Sequence, residues 1–160
     1  GDSTTTGKST PVEVMTGIQS VSTKWLHTMI LKADGALWAT GVNTSGQLGN
    51  GTTTHTSTPV EVMVGVRSVS AGTGHTMILK MDSTLWATGF NAFGQLGDGT
   101  TIDKSSPVEV MAGVQSVSTV GKHTMILQTD GTLWATGRNR YGQLGDGTNT
   151  NTSTPVQITF

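Results

Sequence analysis

Residues 133–148 read LWATGRNRYGQLGDGT, and two near copies precede them, LWATGVNTSGQLGNGT at 37–52 and LWATGFNAFGQLGDGT at 85–100. The same spacing of 48 separates Pro11, Pro59, Pro107 and Pro155, then His27, His75 and His123, then Trp38, Trp86 and Trp134. Aligning 17–64, 65–112 and 113–160 leaves 25 of 48 positions identical in all three copies, which marks one supersecondary unit repeated in tandem. Residues 1–16 are left over, and they match the closing part of each unit.

Within a unit the phrase HTMIL, an Asp-Gly pair and LWATG follow one another, as at His123–Gly137 around Asp130–Gly131. Two short apolar runs separated by Asp-Gly predict a β-hairpin, with a tight type I′ turn as the expected connection. The second copy has Asp82–Ser83 there, and serine lacks glycine's freedom at positive φ, so its turn is expected to be strained. A short strand is predicted before the hairpin, at SVS (20–22, 68–70, 116–118), and another at PVEVM, where Pro opens the strand and removes no ladder bond. The intervening NxxGQLGxGT is expected to be a structural loop whose glycines serve positive-φ turns and close backbone approach; no apolar helical period follows it, as a phosphate cradle would require.

Four strands per repeat of this length predict an all-β chain of propeller blades, with solenoid stacking as the competitor. The boundaries are 1–16 as the closing strand of a preceding repeat, then repeats at 17–64, 65–112 and 113–160. The longer pattern GxxHTMILxxDGxLWATGxNxxGQLGDGT resembles the repeat of the regulator of chromosome condensation family, in its bacterial form. That resemblance covers the whole chain and implies a seven-bladed propeller in the best-known members, among them a nucleotide exchange factor for a small GTPase and, on a related propeller, a protein inhibitor of β-lactamases. Three blades cannot close a ring whose usual count is about four to eight. The chain also opens at Gly1, in mid-phrase. It is therefore expected either to be a segment of a longer repeat protein or to pair head to tail with copies of itself into a ring or fibre. Because 1–16 duplicates 145–160, strand exchange between protomers is a further expectation.

Composition narrows the functional classes. Nine Lys+Arg stand against ten Asp+Glu, a formal charge of −1, so no basic footprint points to nucleic acid. The absence of cysteine removes disulfides, thiolate nucleophiles and Cys-based zinc sites. No run approaches the roughly 18 apolar residues of a membrane span. We expect a secreted or cell-surface location.

Several residue sets invite chemistry and are better explained by the fold. His27, His75 and His123 recur at one phase, which spreads them around an axis, whereas zinc needs its ligands about 2 Å from one ion; they are expected to bond loop backbone within their own blades. His55 is a solitary loop residue. The three LWATG tryptophans are expected to fill the space between blades. Asp34, Asp82 and Asp130 are turn residues, Asp98 and Asp146 belong to the GDGT loop, and no carboxylate pair or GxSxG elbow is present. The chain is expected to be no enzyme and to use no cofactor or metal. Asn43, Asn50 and Asn151 open formal glycosylation sequons, although Asn43 is expected to be bonded within its turn.

Positions fixed across copies serve the fold, so individual function is expected where copies differ. Three sets vary: Lys24–Trp25–Leu26 with Thr73–Gly74 and Gly121–Lys122; the loop positions around Phe90, Phe93, Arg138, Arg140 and Tyr141; and His55 with Ile102–Asp103–Lys104 and Asn149. Aromatic residues with arginine are the composition of protein-binding hot spots. The expected partner-binding residues are therefore Trp25, Phe90, Phe93, Arg138, Arg140 and Tyr141. The expected partner is a protein, or a second copy of the chain.

Overall fold

The computed structural model describes residues 1–159. Among them are twelve strands in three four-stranded antiparallel sheets, one per repeat. The first blade holds β1 (Ile18–Lys24), β2 (His27–Lys32), β3 (Leu37–Gly41) and β4 (Thr56–Met63); the second holds β5 (Val66–Ala71), β6 (His75–Lys80), β7 (Leu85–Gly89) and β8 (Lys104–Met111); the third holds β9 (Val114–Val120), β10 (His123–Gln128), β11 (Leu133–Gly137) and β12 (Thr152–Ile158). Each sheet is a meander in chain order, with His27 opposite Gly41 and the same register, His75–Gly89 and His123–Gly137, in the next two blades. The architecture is three consecutive blades of an open β-propeller.

The central hairpin forms as expected, but its turn is not the tight type I′ pair. Gly35 has φ +83° while Asp34 is not in the positive region, Gly35 N donates to Lys32 O at 3.0 Å and Lys32 N donates to Ala36 O at 2.9 Å. That is a three-residue loop in which a type I turn is followed by a left-handed residue. Asp34 decides the form, because its carboxylate accepts Ala36 N at 3.0 Å and holds the aspartate in an Asx turn. In the second blade Ser83 takes the glycine's place at φ +65°, the predicted strain.

Blades are joined face to face by apolar seams. Met29, Leu31, Leu37 and Leu48 of the first blade pack with Val66, Ile78 and Trp86 of the second; Met77, Leu79, Leu85 and Leu96 pack likewise with Val114, Ile126 and Trp134. Burying a large aliphatic side chain contributes about 1.5–3 kcal/mol, so a seam outweighs any single turn in holding the array together. Trp86 and Trp134 fill the two seams as expected, whereas Trp38 belongs to neither. Trp86 and Trp134 donate Nε1–H to Thr84 and Thr132 Oγ1 at 2.9 Å, whereas Trp38 has Ala36 at that position and its buried Nε1 has no protein acceptor.

The GQLG loop sets the spacing. A Cβ added at Gly46 would lie 2.4 Å from Ser105 Cα, and one at Gly94 would lie 2.4 Å from Ser153 Cα, so only glycine admits the next blade's fourth strand at this distance. Residues 1–16 repeat part of this docking without forming a strand. Ser3 N donates to Ser57 O at 3.1 Å as Gly51 N does to Ser105 O and Gly99 N to Ser153 O at 2.9 Å. Gly1 likewise lies against Thr40, Val14 and Pro59 as Gly49 lies against Thr88, Val62 and Pro107. The closing strand expected over 1–16 does not form, whereas β4, β8 and β12 each pair with the LWATG strand of their own repeat.

The histidines go beyond their expected role, since their side chains also reach across the seam. His27 Nε2 lies 3.1 Å from Thr76 Oγ1, and His75 Nε2 lies 3.2 Å from Thr124 Oγ1. Each threonine hydroxyl donates its one hydrogen back to a carbonyl of the previous blade, Gln47 O or Gln95 O, at 2.8 Å. The imidazole must therefore donate from Nε2, which fixes the neutral tautomer. Burial pushes His27 down to about 4 against a weaker pull from the Lys24 backbone. His75 is pushed down to about 3 by burial first, then by its neighbours His27 and His123. Unfolded histidine titrates near 6.5, so as pH falls the unfolded chain takes up protons before the folded one. Stability is complete above that value and is lost toward pH 4. We expect the urea midpoint to drop between pH 7 and pH 5 by the equivalent of about 2 kcal/mol for each of the two histidines; an unchanged midpoint would show that they are not held neutral in the seams.

Candidate interaction face across the blade ends

In a four-stranded meander the first-to-second and third-to-fourth connections lie at the same end of the blade. This places Trp25–Leu26, Thr73–Gly74 and Gly121–Lys122 beside the long loops that carry Phe90, Phe93, Arg138, Arg140 and Tyr141. The sequence sets that vary between repeats thus share one end of the array, while the Asp-Gly turns lie at the other.

The structure brings the variable residues together. Phe90 and Phe93 meet edge to face with centroids 6.0 Å apart. Arg138 Cζ stands 5.4 Å from the Phe93 ring centre and 5.9 Å from that of Tyr141, and Arg140 Cζ stands 5.7 Å from the Tyr141 ring. Lys122, a variable position that was not among the expected partner-binding residues, closes the group at 4.9 Å from Phe93 and 5.6 Å from Phe90. Its signal in the sequence was its place in the short loop before HTMIL, on the same blade end as Trp25. Trp25, Phe90 and Lys122, one from each blade, line a single open depression of about 460 Å³ with Thr44, Ser45 and Gln47. Trp25 and Tyr141 are exposed to 72% and 76%, which leaves both rings free for a partner.

Trp25 stands against the preference of its own turn. Lys24 pairs with His27, leaving a two-residue loop whose first central residue, Trp25, has φ +57°. A two-residue hairpin with positive φ at its first position is the type II′ pattern, which favours glycine there, and the third blade has Gly121 at φ +65°. The first blade thus carries a large exposed aromatic where the backbone favours none.

Two members of the third variable set, His55 and Asp103, are structural, as is Asn151 at the same phase of the third repeat. His55 Nδ1 accepts Asn43 N at 2.9 Å, and Asp103 and Asn151 accept Asn91 N and Asn139 N at 2.7 and 2.8 Å, so three different side chains do one task. Asn43 is fully buried, its amide donating to the Thr52 and Thr54 carbonyls while its Oδ1 accepts Leu48 N. The Asp98 and Asp146 carboxylates accept from Thr100 and Thr148 and from Asn91 and Asn139. Among the described residues no three His, Asp or Glu gather as metal ligands. Replacing Trp25 with glycine should relieve the turn and raise stability by about 1 kcal/mol, read as a higher urea midpoint; a lower midpoint would show the ring to be part of the packing.

The repeats match the model of the regulator of chromosome condensation (RCC1) repeat over 34–79, 82–127 and 130–160, and a second model of that repeat over 18–47, 66–95 and 114–143. Among solved structures, human WBSCR16 is similar at 25% identity with a TM-score of 0.78, over 89% of this chain and 39% of that one. Prp20p from Saccharomyces cerevisiae, described with its binding to Gsp1p and histones, is similar at 20% identity and a TM-score of 0.81, over 90% and 39% of the two chains. Yeast RCC1 bound to Kap60 is similar at 19% identity and 0.80, over 90% and 37%. The chain spans about two fifths of these structures. No curated protein matches it. Three matched repeats on three blades establish that the chain belongs to the RCC1 repeat family.

Proposed function

We propose that the chain is a non-enzymatic protein-binding module whose contact face is the blade end carrying Trp25, Phe90, Phe93, Arg138, Arg140 and Tyr141. The observation that carries the reading is the gathering of aromatic and arginine side chains from separate repeats onto one end, at positions the repeat itself leaves free. Aromatic rings and arginine guanidinium groups supply most of the energy in protein interfaces. A protein with the same fold, yeast RCC1 (Prp20), is described with the protein partners Gsp1p, histones and Kap60. The Ser/Thr-rich surface with only 12% charged residues supports a display scaffold of an exported bacterial protein. Arg138→Ala combined with Tyr141→Ala should abolish partner capture from extracts of the source cells while leaving the circular dichroism spectrum unchanged; undiminished capture would move the contact face elsewhere.

A second reading is self-assembly. Ala135, Leu144 and Ile158, with Met125, Leu133 and Val156, form a third apolar cluster of the same kind as the two seams, against which no further blade packs among the described residues. Among those residues His123 likewise bonds no threonine as His27 and His75 do. The first blade offers the complementary groups, Thr28 and Thr40, at the phase of Thr76 and Thr88. If copies pair head to tail, light scattering should give a mass that rises with concentration to a discrete oligomer or an open series, and Leu133→Glu should return it to one chain. A constant single-chain mass at every concentration would exclude the reading.

A further inference from the structure

The nine cationic side chains are not placed alike, and one of them, Lys24 at the end of β1, has neither a carboxylate nor an aromatic ring beside it among the described residues. Lys8, Lys32, Lys80 and Lys104 lie within 3.3–3.6 Å of Asp2, Asp34, Asp82 and Asp98. Arg67 donates to Gln115 O across the second seam at 2.7 Å. Lys122, Arg138 and Arg140 differ, because among the described residues none has a carboxylate partner and all three lie over aromatic rings of one blade end. The segments 25–26, 73–74, 90–93, 121–122 and 138–141 contain no Asp or Glu, and further along the same loops Asp98, Asp103 and Asp146 accept from Thr100 N, Asn91 N and Thr148 N.

Lys122 and Arg138 both approach the Phe93 ring, at 4.9 and 5.4 Å. Two like charges sharing one ring repel, and the ring's electron-rich face offsets only part of that cost. An anion between them would relieve the repulsion and gain two charge-assisted contacts. Beside this pair the depression lined by Trp25 and Phe90 offers aromatic surface for an uncharged side chain. The chain as a whole is slightly negative, at −1, so this cationic island belongs to the face and not to the bulk composition.

We infer that the face binds an acidic protein segment, whose carboxylates lie between Lys122 and Arg138 and whose neighbouring apolar or aromatic side chain enters the depression beside Trp25 and Phe90. Charge complementarity selects the carboxylate, and the depression calls for a chain that alternates charge with apolar groups. The inference rests on the protein-binding reading and specifies its partner. Such a contact weakens as salt is raised, because its charges are close to solvent.

The test uses the 160-residue chain, a fluorescent peptide of glutamates flanking one leucine, its twin with glutamine for every glutamate, and a short single-stranded DNA. The glutamate peptide should bind at low salt at least about tenfold more tightly than its twin, and the difference should vanish on Lys122→Gln with Arg138→Gln. Both positions lie outside the seams, and the variant's urea midpoint verifies that it folds. Equal binding of the two peptides, both lost with Arg138→Ala and Tyr141→Ala, would overturn the acidic partner and keep the protein-binding face. Tighter binding of DNA than of the glutamate peptide would overturn it in favour of a polyanion. Failure of both peptides while the cellular partner is still captured would also overturn it, whereas failure of the peptides together with loss of capture would reject the face itself.

Discussion

Everything in this molecule depends on how closely one blade can approach the next. The seam is closed by glycine at 46 and 94, where any Cβ would meet backbone of the following blade, and it is fastened by a chain of polar groups that leaves no room for error. Histidine of one blade donates to threonine of the next, and that threonine donates back to a carbonyl beside the same glycine loop. Apolar side chains supply most of the energy, while the hydrogen bonds fix the angle and register. A buried donor left without its acceptor costs about 1–3 kcal/mol, so a seam that is slightly rotated loses more than contact area.

This division of labour explains which parts of the fold could be read in advance. The period, the four strands and the placing of Trp86 and Trp134 were legible because each pattern repeats three times, and a position held constant in three copies has a structural reason. The hairpin turn was misread in detail, since Asp-Gly is compatible with two loop lengths and only the Asp34 bond to Ala36 N selects the longer one. The histidines were placed correctly at one phase and their bond to the next blade was missed, because internal comparison shows that a residue recurs without showing which blade it serves. His55, Asp103 and Asn151 show the opposite limit: unlike residues can perform one task, and variation between copies then mimics functional divergence.

The interaction face was legible as a set of residues and not as a geometry. Phe90, Phe93, Arg138, Arg140 and Tyr141 stood out because a repeat has no need of them. Lys122 did not, since one lysine in a short loop carries no pattern by itself. Only the third dimension brings it over the two phenylalanines and brings Trp25, two repeats away, to the rim of the same depression. Rigid seams make such a face possible, because the loops are held in place by the sheets beneath them.

The N-terminal residues carry a consequence of another kind. Gly1 meets Thr40 and Pro59 as Gly49 meets Thr88 and Pro107, so part of the docking seen before residues 65 and 113 recurs before residue 17. A gene that gains or loses one whole unit at that phase would therefore encode a protein whose internal joints are all unchanged, with novelty confined to which loops become neighbours. Copy number can drift by recombination at little energetic cost, and each drift reshuffles the combination of rings and charges on the shared end without disturbing the scaffold that displays them.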